Sequence, residues 1–285
     1  MKKIKLLLMT MAAAMLMSAC GTTSTVPISG RKHTLLVSDA QIMSLSNKQY
    51  GEIMQKSTLS SNAANTAMVR RVGQNLATAV ETYLRNNGAA SEVNNFAWEF
   101  NLVKSNEANA FCMPGGKIVV FEGLLPYTQN ENGLAIVLGH EIAHAVAKHS
   151  AEQMSKAIRQ QYGASILGSV LNSTVGGGVG DLASWAAQQG FSFANLKYSR
   201  DNETEADYIG LIIAAMAGYN PQEAITFWQR MSSGKGNQSD LLSSHPSDVK
   251  RIAALQRQMP EAMKYYQAAK SATTKTWKFT PKNKK

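Results

Sequence analysis

The sequence predicts an α+β domain, mainly helical, with a small mixed β-sheet placed ahead of a buried helix that carries two histidines. Alternating apolar residues over Phe96-Ala-Trp-Glu-Phe-Asn-Leu-Val103 and Lys117-Ile-Val-Val-Phe121 mark strands, with a further strand around Ala110 and a turn at Pro114-Gly-Gly116. Helical spacing dominates the stretches before and after them. Next, the small apolar run Gly133-Leu-Ala-Ile-Val-Leu-Gly139 leads into His140-Glu-Ile-Ala-His144. Strands preceding that motif and helices following it is an α+β order.

At the N-terminus, Lys2, Lys3 and Lys5 precede an apolar stretch from Leu6 to Met17 that is too short to span a membrane as a mature helix. It ends in Leu16-Met-Ser-Ala-Cys20, small residues just before a cysteine, and resembles a lipoprotein signal. The expectation is a signal peptide over 1–19, acylation of Cys20, and a flexible Ser/Thr-rich tether over 20–35. Gly21, in place of Asp, does not suggest inner-membrane retention. The protein is therefore expected to be exported and held at the periplasmic face of the outer membrane as a lipoprotein, with the membrane as a partner through Cys20.

Residues 36–258 form the expected catalytic domain, and 44% hydrophobic residues are enough to build one core. Ser38-Asp-Ala-Gln41 has the form of a capping box opening a helix to about Lys56. A second helix runs from about Ala63 to Arg85, with Val69, Val72, Leu76 and Val80 on its apolar side and Asn86-Asn-Gly88 at its end. The Gly- and Ser-rich stretch 164–187 suits a mobile lid, a membrane-facing loop or a helical hairpin. Asn172 and Asp181 break any continuous transmembrane span within it. Asn220-Pro-Gln-Glu223 starts another helix, and His245-Pro-Ser-Asp248 opens one through Leu255. A basic tail, 259–285, carries Lys275, Lys278, Lys282, Lys284 and Lys285.

The formal charge of +10 falls by three if residues 1–19 are removed, since they hold three lysines and no acid. No nucleic-acid motif accompanies this charge, so no nucleic-acid partner is expected. With two cysteines, one of them assigned to acylation, there is no disulfide framework.

His140 and His144, four apart on one helical face, can direct imidazole nitrogens at one zinc ion. Glu141, one residue round, can reach a water molecule at the open coordination position as general base. The extended pattern with a third histidine is excluded, because Ala147 and Ser150 stand where Gly and His would be required. His149 reads as a surface or helix-end residue. The third ligand is instead sought in Tyr198-Ser-Arg-Asp-Asn-Glu-Thr-Glu-Ala-Asp207. There Glu203 and Asp207 lie four apart, one to bind metal and one to accept the free N–H of a ligand histidine. Glu205 points about 200° away from Glu203 and is the weaker candidate. The strand from Asn109 to Met113 reads as an edge that could hold an extended peptide.

Asn109-Ala-Phe-Cys-Met-Pro-Gly-Gly116, His140-Glu-Ile-Ala-His144 and Ser199-Arg-Asp-Asn-Glu-Thr-Glu-Ala-Asp207 together resemble the signature blocks of the BepA/LoiP-type periplasmic zinc metallopeptidases. These are relatives of the HtpX protease and the CAAX prenyl endopeptidase. The resemblance covers roughly residues 36–258 and implies a zincin-type fold with one zinc ion per chain. It assigns His140, His144 and Glu203 as ligands, Glu141 as base and Asp207 as support. Ser244-His-Pro246 matches a block whose histidine approaches the metal in some members. His245, or less favourably Arg200, is thus the candidate to stabilise the oxyanion, and His245 is alternatively the candidate to inhibit by taking the open zinc position. The chain ends without the helical repeats that some members carry. The expected activity is hydrolysis of peptide bonds in unfolded or misassembled envelope proteins. The alternative is a catalytically quiet chaperone or assembly factor on the same fold.

Overall fold

The computed structural model describes residues 21–170, 179–233, 241, 245 and 249–271. Residues 1–20, the tail beyond 271 and the glycine-rich centre of the 164–187 stretch lie outside them. Expectations about the signal segment, Cys20 and a lid centred there fall outside the described residues. The sheet alternates as the sequence requires. Strands β3 (Glu99–Val103), β4 (Ala110–Met113) and β5 (Lys117–Phe121) lie in the order β3-β5-β4, with β3 parallel and β4 antiparallel to β5. Phe100, Leu102, Cys112, Ile118 and Val120 face one apolar cluster, while Val103, Met113 and Val119 face a second across the sheet. Gly115 and Gly116 take φ of 88° and 81°, the left-handed backbone that the β4–β5 turn needs.

Ahead of the sheet, α1 (Asp39–Lys56) opens with the expected capping box between Ser38 and Gln41, and α2 (Ala63–Asn86) buries Val69, Val72, Leu76 and Val80. After it come the metal helix α3 (Glu131–Val146), α4 (His149–Val170), α5 (Val179–Gln188), α6 (Arg200–Met216), α7 (Glu223–Ser233) and α8 (Val249–Ser271). Helices α3 and α6 meet at a glycine pair. A Cβ on Gly210 would lie 2.7 Å from the backbone of Gly139 and His140, so no larger residue fits and the two backbones touch. That contact sets Glu203, two turns up α6, opposite the histidines of α3. Among the described residues, no helix is long and apolar enough to cross a membrane.

Two boundaries differ from those read in the sequence. Residues 22–35 are not a tether. Thr22–Thr25 (β1) and Lys32–Leu35 (β2) pair antiparallel, and Val26 and Ile28 between them are buried in the main core. The threonines that suggested flexibility are β-branched and suit strands. At the other end, α8 runs past 258 to Ser271 and carries Pro260 within it. Ala262 and Ala269 are buried and Tyr265 and Tyr266 pack on the core, so the first turns of the supposed tail belong to the domain.

The hairpin is fastened by charge. Arg31 pairs with Glu152 and Glu205, each at 2.7 Å. Burial alone would raise the Glu152 carboxyl, but hydrogen bonds from His33 and Arg31 and the Arg31 charge override it and bring it down to about 2. A carboxylate whose folded pKa is depressed stabilises the fold above its unfolded value, here 4.5, and loses that contribution as pH falls through about 2. Glu152→Gln is therefore expected to melt below wild type at neutral pH, with the gap narrowing as pH drops below 4.5. Thermal melts by circular dichroism check this. A gap that ignores pH would assign Glu152 a packing role only.

Candidate metal centre

The two histidines of α3 converge as their spacing requires. His140 Nε2 and His144 Nε2 lie 3.0 Å apart, and both residues are buried. Glu203 on α6 brings Oε2 to 3.4 Å from His140 Nε2 and Oε1 to 3.4 Å from His144 Nε2. His245 adds a fourth donor. Its Nδ1 is 2.9 Å from Glu203 Oε1 and 3.1 Å from His140 Nε2. Tetrahedral zinc with ligand bonds of about 2.0–2.2 Å separates its donors by about 3.3–3.6 Å. These separations among His140, His144, His245 and the two Glu203 oxygens run from 2.9 to 3.4 Å, and one donor atom from each of the four residues lies within 4.8 Å of the others, a set that one ion can bridge.

The protons tell the same story. His140 Nδ1 is 2.9 Å from Asp207 Oδ1 and donates to it, so a neutral His140, the form that ligates a metal, turns its Nε2 lone pair to the nitrogen of His144. Two lone pairs directed at each other in a buried space call for a cation between them. Glu203 Oε2 and Glu141 Oε1 are buried without a hydrogen-bond partner, as expected of atoms meant for a metal and for water. Glu141 is otherwise held by the Cys112 backbone N–H, which donates to its Oε2 at 3.2 Å from β4.

Electrostatics separate these groups. Burial pulls the His140 imidazole down, but the Glu203 charge and hydrogen bonds to Asp207 and Glu203 outweigh it and lift it to about 9. Burial pushes His144 well below the usual imidazole range, and the His140 charge adds to that. Burial raises the Glu141 carboxyl, which makes its carboxylate the stronger base. Against its own burial, the His140 charge and hydrogen bonds from three histidines hold Glu203 far below the carboxylate range.

Every site residue expected from the sequence within the described residues is here except Arg200, which is exposed on the first turn of α6. The arginine at the site is Arg251 of α8, which donates to Asp207 Oδ1 at 2.6 Å and stacks 3.4 Å from the Trp228 ring centroid. Tyr198 was also missed as a site group. Its ring stacks on His144 with centroids 3.9 Å apart. His149, expected at the surface or at a helix end, is the first residue of α4 but has no exposed area, and it meets His144 Nδ1 at 2.9 Å. Cys112 is buried and free among the described residues, and its backbone N–H is the one that donates to Glu141.

Comparison with known proteins agrees with this chemistry. The model of peptidase family M48 matches residues 63–259. The mitochondrial metalloendopeptidase OMA1 of Schizosaccharomyces pombe is 38% identical over 61% of this chain and 50% of its own length. The human mitochondrial metalloendopeptidase OMA1 is 31% identical over 84% of this chain and 46% of its own. The beta-barrel assembly-enhancing protease of Escherichia coli is 31% identical over 55% of this chain and 33% of its own. The chain thus spans about half the length, or less, of the curated relatives it matches. The expected likeness to the BepA type is present, but likeness to mitochondrial proteins is at least as strong. That corrects the expected location: these relatives point away from an outer-membrane lipoprotein facing the periplasm. The chain belongs to peptidase family M48, and its cluster of His140, His144, Glu203 and His245 fits the zinc on which these metallopeptidases depend.

Proposed function

From its place among the M48 peptidases, we propose that this chain hydrolyses internal peptide bonds of unfolded or misassembled protein substrates, with one zinc ion per chain. The observation that carries this is Glu141 Oε1, a buried carboxylate oxygen without a hydrogen-bond partner beside a ready set of metal donors. A binding protein that only kept the fold would have no use for it. Zinc, when bound, supplies Lewis acidity to the scissile carbonyl and lowers the pKa of water towards 7. Glu141 takes the proton of the attacking water and passes it to the leaving amine. Asp207, braced by Arg251, keeps the His140 proton on Nδ1. Strand β4 lies at the edge of its sheet and packs against α3. An extended substrate pairs with that edge through main-chain hydrogen bonds. The test is whether the zinc-loaded protein cuts casein at internal bonds. Release of single terminal residues alone would contradict an endopeptidase.

His245 completes a set of four donors, and if all four held a tetrahedral zinc at once no position would be left for water. On this reading His245 would withdraw before catalysis. His245→Ala is expected to raise basal cleavage while reducing zinc affinity only modestly. Steady-state kinetics with metal analysis decide this. A fall in kcat of about 10²- to 10³-fold with zinc unchanged would make His245 an oxyanion partner instead.

Acylation at Cys20 would tie the chain to a membrane surface. Labelling with a fatty acid should mark the wild type and not Cys20→Ser, and an unlabelled wild type would defeat the reading.

A further inference from the structure

The zinc ligand His144 is oriented from its far side by groups that the activity does not by itself require. Its Nε2 faces the other metal donors, so a neutral His144 carries its proton on Nδ1. That nitrogen lies 2.9 Å from His149 Nδ1, which must therefore accept. His149 then has its proton on Nε2, 2.9 Å from Glu205 Oε2, to which it donates. Glu205 in turn accepts from Arg31 Nε at 2.7 Å and from the Ser29 hydroxyl, both at the turn of the β1–β2 hairpin. Each link from His144 through His149 and Glu205 to Arg31 Nε pairs one donor with one acceptor, and one placement of protons satisfies all three.

We propose that His149 and Glu205 are positioning residues for His144, and that the N-terminal hairpin completes the metal centre through them. The proposal rests on the zinc reading of the site. It parallels the support of His140 by Asp207 and Arg251, so that each of the two histidines of α3 is held by a carboxylate braced by an arginine. One arginine comes from the last described helix and the other from the first hairpin. For His144 the carboxylate acts at one remove, because the histidine stands between. Val26 and Ile28, buried in the core, keep the hairpin turn in place. Loss of the hairpin should loosen the metal site although no hairpin residue touches the metal.

The experiment measures the zinc dissociation constant of the full chain by competition with a chelator, and the visible spectrum of the cobalt-substituted protein. His149→Ala and Glu205→Gln are expected to weaken zinc by roughly 10- to 100-fold, and Arg31→Ala by less. His149→Asn, whose amide oxygen can sit where Nδ1 accepts, should recover most of the affinity and the wild-type cobalt spectrum. His149→Phe, which fills the space without an acceptor, should not. Equal recovery by Phe and Asn would reduce His149 to packing and overturn the proposal. Affinities for Glu205→Gln and Arg31→Ala within twofold of wild type would overturn it too, and neither variant empties a core position. If the wild type itself takes up no zinc, the zinc reading fails, and the variants are not needed to show it.

Discussion

Glu141→Gln is expected to bind zinc as wild type does and to lose peptide cleavage by about 10²- to 10⁴-fold or more. The substitution keeps the shape of the side chain and leaves an amide oxygen for the Cys112 N–H, so the fold around β4 and α3 is undisturbed. What it removes is, among the described residues, a carboxylate beside the donor set that has an oxygen without a hydrogen-bond partner and no ligand role. Burial raises the Glu141 carboxyl, and that added basicity is lost with it. Metal content and cleavage rate, measured on one preparation, check this. Loss of zinc, or cleavage retained, would remove Glu141 from the role of base.

The largest expected effect on the metal itself comes from Glu203→Ala. Glu203 offers both oxygens to the cluster, facing His140 and His144 at 3.4 Å each and His245 at 2.9 Å. Its removal takes away the one negative charge among the four donors. Zinc affinity is expected to fall well beyond the roughly 10- to 100-fold predicted for Asp207→Asn, which leaves all four donors and disturbs only the orientation of His140. Glu205→Gln should resemble Asp207→Asn and not Glu203→Ala. If Glu205 were the residue whose loss empties the site, the register of α6 as described would be wrong.

Spacing made the inner site legible. His140 and His144 on one helix, and Glu203 and Asp207 on another, are i, i+4 pairs, and a regular helix leaves little choice about where they point. The outer support was hidden for a reason that can be named. Counted along one continuous helix, His149 falls well round from His144. The helix instead stops at Val146, Lys148 takes φ of 56°, and a new helix starts at His149. That left-handed residue resets the phase and turns His149 inward. No glycine marks the break, so nothing in the sequence announced it. Thr- and Ser-rich composition, which also suits a flexible tether, hides the hairpin in the sequence, although Val26, Ile28 and Leu35 form an apolar pattern that a tether does not need. Arg251 lies too far from its partners along the chain for any local spacing to connect them.

The central claim, that this site holds one catalytic zinc, is tested most directly by titrating zinc into the metal-free chain while following cleavage of an unfolded protein. Activity is expected to rise in proportion to added zinc and to level off at one ion per chain, with Glu141→Gln taking up the same zinc and staying silent. Cleavage by the metal-free chain, or full zinc uptake without cleavage even in His245→Ala, would contradict it.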